Sequence, residues 1–431
     1  MPTLKVISLG CSKNTVDSEI IMGNAESSHW SLFPSDSLKN PDVLLINTCG
    51  FIGDAKNESI EMILRAVGLK ISHKIHKLYV MGCLVERHGK ELAQEIEEVD
   101  AWFGANKIEE VIHAIIEENI EVNLQDRELT TPSHYAYLKI SEGCDRRCSF
   151  CAIPLIRGKH ISRSIEDIVS EARALVHLGV KELIIIAQDV TYYGVDLYGE
   201  RRISSLLQEL LKIENLEWIR LQYLYPHGFP EDLIALMQRE PKICKYIDIP
   251  LQHISSSVLD SMKRTSTKEQ TEELLHKLRK ALPNAAFRTT LIVGYPNETE
   301  ADFEALKQFV REFRFERLGV FMYSAEEGTS AWDLGDKVSE DLKNHRADEI
   351  MELQESISYD INSSKIGKIY KVIIDRKEGD YYVGRTEYDS PEVDDEVLIP
   401  LEEKGLKIGE FYSVKITEAE AHDLYATTSV Q

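Results

Sequence analysis

Apolar blocks separated by polar, helix-like segments make up the first 125 residues of the chain. Three short apolar runs, at positions 4–9, 43–46 and 77–81, have the length and density of buried strands. Positions 56–67 and 86–97 carry the mixed polar and apolar spacing of helices. Because such alternation is typical of parallel α/β sheets, we predict one here.

The same alternation continues over a longer span, from about 135 to 360. Six candidate strands share helix-like connections and lie at 137–140, 182–187, 218–221, 246–249, 286–291 and 317–322. Six such units in succession predict a central (β/α) barrel, either open or complete.

The pattern changes after an amphipathic helix predicted over 341–362. Short strands at 369–374, 381–385, 396–399 and 412–416 are broken by glycine and proline, which indicates a small antiparallel β-barrel. The expected architecture is therefore α/β with three domains, at 1–125, 130–364 and 365–431.

Charge and the absence of long apolar stretches limit the class of protein. The 431 residues include 50 basic and 73 acidic side chains, giving a net charge of −23. A field of this sign repels nucleic-acid phosphates and favours a basic partner, although acidity can also serve solubility alone. No apolar stretch approaches the ~20 residues of a membrane helix, so we expect a cytoplasmic protein that does not enter membranes.

Three central cysteines are the clearest chemical signal. Cys144, Cys148 and Cys151 follow a Cys-x₃-Cys-x₂-Cys spacing. Three thiolates so close together can bind three irons of a 4Fe–4S cluster and leave the fourth iron open to S-adenosylmethionine. A zinc site with a distant fourth ligand and a redox pair are the alternatives. Phe150 could shield this cluster or belong to the core.

Three further cysteines, Cys11, Cys49 and Cys83, each come directly after a predicted strand of the first domain. The carboxyl ends of parallel strands share one edge of the sheet, so the three thiols should converge. We interpret them as ligands of a second cluster with an open iron. Three buried structural cysteines are the alternative, and Cys244 is interpreted as an ordinary core thiol.

Several motifs resemble one family over essentially the whole chain. They are Gly10-Cys11-Ser12-Lys13-Asn14, Asn47-Thr48-Cys49-Gly50-Phe51-Ile52, Asp248-Ile249-Pro250-Leu251-Gln252-His253 and the stretch 384–394. They are similar to those of the radical S-adenosylmethionine methylthiotransferases, and most of all to the RimO branch. The departures are Ser390 and Asp395, where the family more often has alanine and glycine.

The resemblance implies an auxiliary-cluster domain, a radical domain and a TRAM domain, in that order. It also implies two 4Fe–4S clusters, two molecules of S-adenosylmethionine per turnover and an electron donor such as a flavodoxin. The implied product is a methylthio group on the β-carbon of an aspartate in the twelfth protein of the small ribosomal subunit. A transfer-RNA methylthiotransferase of the MiaB type and a non-catalytic iron–sulfur electron carrier are the alternative hypotheses.

The resemblance also suggests residues that contact S-adenosylmethionine. Gln188 or Asp189 could accept a hydrogen bond from its ammonium group, although Asp189 could equally cap a helix. Gly294 lies in a stretch that resembles the adenine-contacting backbone of radical enzymes. Gln252 follows another strand and is a further candidate, and Arg288, interpreted as ending a strand, could meet a carboxylate.

Two tyrosines and the charge of the last domain complete the sequence-based expectations. Tyr223 and Tyr225 also follow a strand, and packing is favoured over a role in a substrate pocket. From position 365 onward there are nine basic and fifteen acidic residues, with an acidic run at 392–396. We therefore expect a basic ribosomal protein as substrate and no direct RNA binding. An association of the enzyme with the ribosome is compatible with both expectations.

Overall fold

The computed structural model describes residues 1–34, 37, 39–117, 120–403 and 405–428. Lys404 and positions 429–431 of the predicted third domain lie outside these residues. Within the described ranges, no helix combines the length and apolar character needed to span a membrane.

The amino-terminal part is a five-stranded, fully parallel sheet in the order β2-β1-β3-β4-β5. Its strands are β1 (Thr3–Ser8), β2 (Ser31–Phe33), β3 (Val43–Thr48), β4 (Lys77–Gly82) and β5 (Ala101–Phe103). Helices alternate with them: α1 (Ser12–Ser27), α2 (Gly53–Ile71), α3 (Cys83–Glu95) and α4 (Ile108–Ile116). All six residues of β3 are buried, as expected for the middle of a sheet covered on both faces.

The central part is an open, six-stranded parallel arrangement. Three strands form one sheet: β6 (Tyr135–Lys139), β9 (Glu182–Ile186) and β10 (Trp218–Leu221). Three more form the next: β11 (Tyr246–Asp248), β12 (Ala286–Val293) and β13 (Arg317–Met322). A backbone hydrogen bond of 3.0 Å from Cys244 N to Ile219 O joins them, and a two-stranded ribbon, β7 (Ser141–Glu142) with β8 (Ile161–Ser162), follows β6.

Helices of the central part cover the outside of this arrangement. They are α5 (Ile153–Ile156), α6 (Ile165–His177), α7 (Val195–Tyr198), α8 (Ile203–Leu210), α9 (Glu231–Arg239), α10 (Ser256–Ser261), α11 (Lys268–Ala281), α12 (Glu300–Phe313) and α13 (Glu340–Ser363). Two 3₁₀ turns add to them, Val190–Tyr192 and Trp332–Leu334. Several begin with a side-chain cap; in α12, Thr299 and Asp302 form a reciprocal capping box that satisfies the free backbone N–H groups of its first turn.

The carboxyl-terminal part is a closed five-stranded barrel in the order β14-β15-β16-β18-β17. Its strands are β14 (Ile369–Glu378), β15 (Tyr381–Thr386), β16 (Glu396–Pro400), β17 (Phe411–Ala419) and β18 (Asp423–Thr428). The expected mixed α/β architecture with a terminal barrel is confirmed. The domain limits at 125, 130 and 364 remain predictions.

The acidic run of the barrel does not form the phosphate-repelling surface that we expected. The side chains of Asp394 and Asp395 are only 1% and 4% exposed. Asp394 lies 3.3 Å from Arg288, and Asp395 lies 2.9 Å from Arg317, and both arginines belong to the central part. The prediction is wrong at these two residues because buried charges require partners, and here the partners are arginines across a domain interface.

Candidate active site

The structure brings Cys11, Cys49 and Cys83 to one edge of the first sheet. Their strands β1, β3 and β4 are direct neighbours, so the three chain segments leave the sheet side by side. Cys11 is the N-cap of α1, Cys83 is the first residue of α3, and Cys49 follows β3. The positive ends of two helices therefore point at this edge, where they favour thiolates and other anions.

Glycine and asparagine allow the close approach of these segments. Gly10 has a φ of +89°, and a Cβ built on it would lie only 2.9 Å from the Sγ of Cys49. The side chain of Asn14 donates from Nδ2 to the carbonyl oxygens of Leu9 (2.8 Å) and Thr48 (3.0 Å). Its Oδ1 lies 3.9 Å from the Sγ of Cys83. One asparagine thus ties the three cysteine-bearing segments together.

The donor set at this edge fits a thiolate-bound cluster. Burial raises the pKa of Cys83 to about 12 and also raises that of Cys49, so the free thiols are protonated at neutral pH. A metal that binds these sulfurs displaces the thiol protons, and the metal–sulfur bonds offset the free-energy cost of deprotonation. Within the described part of the chain, the buried Oγ of Ser12 and Oδ1 of Asn47 have no hydrogen-bond partner.

The central triplet lies on a loop closed by the β7–β8 ribbon. Cys144 N donates to Gly158 O (3.0 Å), and Cys151 N donates to Cys148 O (3.1 Å). Gly143, with a φ of +73°, cannot be replaced freely, because a Cβ there would lie 2.0 Å from Lys159 O. Burial raises the pKa of Cys144 to about 11, and that of Cys151 to about 12.

Two arginines and a tyrosine cover this loop. Arg264 donates from Nη1 to the Sγ of Cys148 at 3.5 Å, and its guanidinium lies 4.3 Å from the ring centre of Tyr225. Arg146 lies 4.2 Å from the same ring. Tyr225 is therefore in contact with two cations, which lowers their desolvation cost through cation–π attraction.

Sequence reasoning favoured packing for Tyr225 and did not single out either arginine. Arg146 carries a local signal, because it lies inside the cysteine spacing. Arg264 carries none, because it is more than 100 residues from the cysteine that it contacts.

An ion-pair ring of four side chains, three of them in buried residues and the fourth, Glu142, 22% exposed, joins the two cysteine-bearing regions. Asp17 of α1 contacts Lys139 Nζ and Arg157 Nη1, the latter at 2.8 Å. Glu142, directly before the central loop, contacts the same two cations at 2.8 and 3.2 Å. Burial opposes ionisation of Glu142, but Lys139 and Arg157 outweigh it and hold the pKa of this carboxyl at about 2.

Direct packing continues this connection on both sides of the ring. Arg157 donates from Nη2 to Asn14 Oδ1 at 2.6 Å, so it reaches the asparagine that holds the first triplet. Cys83 belongs to a small buried apolar cluster with Ala152 and Ile156, and Ala152 directly follows Cys151. Cys83 of the first triplet therefore lies at the same interface as the segment that follows Cys151 of the second, whereas Cys11 is exposed.

A third contact between the two regions comes from the loop after β13. Glu326, whose side chain is 3% exposed, contacts Lys56 Nζ at 2.5 Å and Arg87 Nη1 at 2.6 Å. Arg87 also donates to Gly50 O at 3.1 Å, next to Cys49. This loop holds the Cys49 segment against the central part.

Gln188 and Asp189 follow β9 and lie beside the central loop. Gln188 donates from Nε2 to Glu142 Oε1 at 2.8 Å, and its buried Oε1 has no hydrogen-bond partner among the described residues. A free buried acceptor fits the predicted contact with an ammonium group. Asp189 is the N-cap residue of the following turn, but its side chain accepts no backbone N–H there and instead contacts Arg146 at 2.9 Å and accepts from Thr191 Oγ1 at 2.6 Å.

The remaining predicted contacts are more scattered. Gly294 has a φ of +73° and follows β12 at the same end of the barrel, and the half-buried Phe150 packs against a cluster that includes Tyr295. Gln252 takes a left-handed φ of +74° and is bridged to Leu291 of β12. These placements leave the predicted roles untested.

From the sequence we expected Arg288 to end a strand, and this expectation is wrong. It is the third residue of β12, and its side chain contacts Asp248 (3.1 Å) and Asp394 (3.3 Å). Two carboxylates already neutralise this cation at the interface with the barrel. We therefore leave Arg288 out of the proposed cofactor site.

The described residues include no group of three or more His, Cys, Asp or Glu side chains gathered around a single ion position.

Comparison with protein families divides the chain in three. Residues 138–310 match the Radical SAM superfamily. Residues 3–104 match "Uncharacterized protein family UPF0004", and residues 366–428 match the TRAM domain.

Among solved structures, the radical S-adenosylmethionine methyltransferase TsrM from Kitasatospora setae has a TM-score of 0.55 at 14% identity, over 76% of each chain. The cobalamin-dependent radical enzyme OxsB has a TM-score of 0.51 at 13% identity, over 81% of this chain and 56% of its own. At these identities the likeness shows a shared fold.

Sequence relatives are much more similar. The ribosomal protein uS12 methylthiotransferase RimO of Flavobacterium johnsoniae is 53% identical over 423 residues, which cover 98% of this chain and 97% of that protein. The RimO protein of Phocaeicola vulgatus is 52% identical over 426 residues, 99% of each chain. Identity at this level over nearly the full length of both chains shows that the protein belongs to the RimO family of methylthiotransferases, within the radical SAM superfamily.

Proposed function

We propose that this enzyme attaches a methylthio group to the β-carbon of an aspartate in ribosomal protein uS12. The observation that carries the proposal is the meeting of the two cysteine-bearing regions at one interface, in a chain about half identical to uS12 methylthiotransferases. A methylthiotransferase needs both a radical source and a sulfur donor near one substrate atom, and two cysteine-bearing regions at one interface meet that need.

The proposal assigns the cysteines to two clusters. Cys144, Cys148 and Cys151 would hold the cluster that binds S-adenosylmethionine. The auxiliary cluster would be held by Cys11, Cys49 and Cys83. When bound, the clusters supply the electron that cleaves S-adenosylmethionine and a site for the sulfur to be transferred. Two molecules of S-adenosylmethionine would be consumed, one for the methyl group and one for hydrogen abstraction.

The protein's own residues orient these groups and exclude water. Gln188 would accept from the ammonium of S-adenosylmethionine through its free Oε1. Arg264 and Tyr225 cover the Cys148 side of the central loop. The ion-pair ring fixes the relative position of the two cysteine-bearing regions, which a reaction between two cofactors requires.

The same proposal includes the protein's partners. A one-electron donor such as a flavodoxin would reduce the clusters. Because the substrate is a ribosomal protein, the reaction would take place in the cytoplasm. An association of the enzyme with the ribosome is compatible with this proposal. We keep the division at 1–125, 130–364 and 365–431 as auxiliary-cluster, radical SAM and TRAM domains.

Cluster assignment is tested by anaerobic reconstitution followed by iron and sulfide analysis. Wild-type protein should bind about eight irons per chain, and serine variants of either triplet about four. The central-triplet variant should form no 5′-deoxyadenosine, whereas the amino-terminal variant should still form it. Cys244→Ala is the matched control because this cysteine is buried away from both sites, and it should keep both clusters.

Substrate assignment is tested by mass spectrometry of uS12 from cells with and without the gene. A methylthio mass increase on one aspartate is expected only when the gene is present. An unmodified uS12 together with a gene-dependent methylthio group on transfer RNA would contradict the proposal and support the MiaB-type alternative. A protein with one cluster and no S-adenosylmethionine cleavage would be an electron carrier instead.

A further inference from the structure

Lys13 differs from the other buried cations of this protein. Nine lysine and arginine residues are buried in the described part of the chain. Eight of them contact at least one carboxylate: Arg127, Lys139, Arg157, Arg220, Arg317, Lys343, Arg346 and Arg385. Lys13 is 6% exposed, yet no described residue gives its Nζ an ion pair or a hydrogen bond.

The local environment makes this cation costly. Lys13 lies in the first turn of α1, where the positive end of the helix dipole disfavours it. That turn contains no acidic residue to compensate. The Lys13 side chain is also largely removed from water and has no carboxylate partner among the described residues, a cost that the cation–π contact described next offsets only in part. A residue that lowers stability in three ways is expected to have a functional role.

The ammonium of Lys13 contacts an aromatic ring from the other side of the site. Its Nζ lies 3.1 Å from the ring centre of Tyr223, which follows β10 of the central part. Tyr223 has a left-handed φ of +61°, an unfavourable conformation for a bulky residue, and its N–H donates to Asp248 Oδ2 at 2.8 Å. Lys13 is two residues after Cys11 in the sequence, so its ammonium lies where the radical domain meets the Cys11 segment.

We infer that Lys13 binds the side-chain carboxylate of the aspartate that receives the methylthio group. This inference rests on the proposed function, because it takes its substrate from there. The carboxylate is bonded to the β-carbon, so an ion pair to it places the reacting carbon between the two cysteine triplets. It also supplies the missing counter-charge, and the Tyr223 ring offers a flat apolar wall beside it.

The test compares binding of two peptides to the reconstituted enzyme. One peptide spans the aspartate that the wild-type enzyme is found to modify, and the other carries asparagine there. We expect wild type to bind the aspartate peptide about 10- to 100-fold more tightly, as for a charge-assisted hydrogen bond. Lys13→Met and Lys13→Gln should each reduce this preference to less than about threefold.

Lys107→Met is the matched control, since it removes an exposed lysine paired with Glu110 and should keep the full preference. Lys13→Met should melt no lower than wild type, because it removes an unpaired buried charge. A structural role would lower the melting temperature and leave the preference intact.

Three results would overturn the inference while leaving the proposed function in place. Retention of the aspartate preference in both Lys13 variants is the first. A loss of S-adenosylmethionine affinity with the preference retained is the second. The third is a shifted potential of the auxiliary cluster with the preference retained, which would make Lys13 a counter-charge for that cluster. If wild type modifies no uS12 aspartate, the proposed function fails and this inference fails with it.

Discussion

Replacement of Asp17 by asparagine tests whether the ion-pair ring positions the two halves of the active site. Asp17 lies on α1, and its side chain is 1% exposed. It contacts Lys139 and Arg157 of the central part. Asparagine keeps the shape of the side chain but removes the charge, so the two buried cations would share Glu142 alone.

The expected cost follows from burial and partner number. Removing one partner from a buried ion pair destabilises proteins by about 3–5 kcal/mol, because a buried charge is left uncompensated. Glu142 remains within 2.8 Å of Lys139 and 3.2 Å of Arg157, which limits the loss. We therefore expect a loss at the lower end of that range, about 3 kcal/mol.

Urea unfolding followed by circular dichroism measures this loss. Glu26→Gln on the same helix is the control; Glu26 is exposed, and its replacement should change stability by no more than about 0.5 kcal/mol. In the active enzyme, Asp17→Asn should lower methylthio product per 5′-deoxyadenosine by about 10- to 100-fold, because the reacting groups are misplaced. Unchanged stability and unchanged coupling would refute the reasoning that the ring aligns the two sites.

Three further predictions concern other parts of the site. Arg264→Met removes a hydrogen bond to the Cys148 sulfur, so it should lower the reduction potential of the central cluster in an EPR-monitored titration, whereas exposed Arg147→Met should not. Burial lowers the pKa of His253 to about 4, so only the unfolded state takes up a proton as the pH falls from about 6.5 to 4. The free energy of unfolding of the wild type should therefore decline over that window. In His253→Asn this decline should be smaller by about 3 kcal/mol. Glu326→Gln leaves two cations without their carboxylate and should cost about 3–5 kcal/mol in urea unfolding, with faster hydrogen exchange in the Cys49 segment; exchange equal to wild type would contradict a clamp at that position.

The fold was predictable wherever an apolar run was long enough to identify a strand. The strands at 218–221 and 317–322 have the predicted limits, because apolar residues make up most of each of them. Two strands of the first sheet, Ser31–Phe33 and Ala101–Phe103, were missed since three residues show no periodicity. The last strand, Asp423–Thr428, was missed because polar residues occupy both of its ends.

The site was predictable only as far as its signals are local. The central cysteines follow one another within eight residues, and strand-end logic brings the other three together. The contacts that orient the two triplets join residues more than 100 positions apart, as Lys139 and Asp17 do. Asp17 lies in the stretch 16–19, which also resembles the RimO pattern, but the sequence does not indicate that its side chain reaches Lys139 and Arg157.

The distribution of charge suggests how an acidic enzyme could select an acidic residue within a basic protein. Ten carboxylates and nine Lys or Arg side chains are buried among the described residues, so the interior nearly cancels. Almost all of the net charge of −23 therefore lies on side chains with access to solvent, including Glu392 of the barrel run but not its buried Asp395. Long-range attraction would then concentrate a basic substrate at the surface, and the ammonium of Lys13, which has no carboxylate partner among the described residues, would select a carboxylate within it. Because the first attraction acts over long distances through solvent and the second acts at contact in a largely buried place, raising the salt concentration should weaken substrate encounter more than it weakens the preference for aspartate over asparagine.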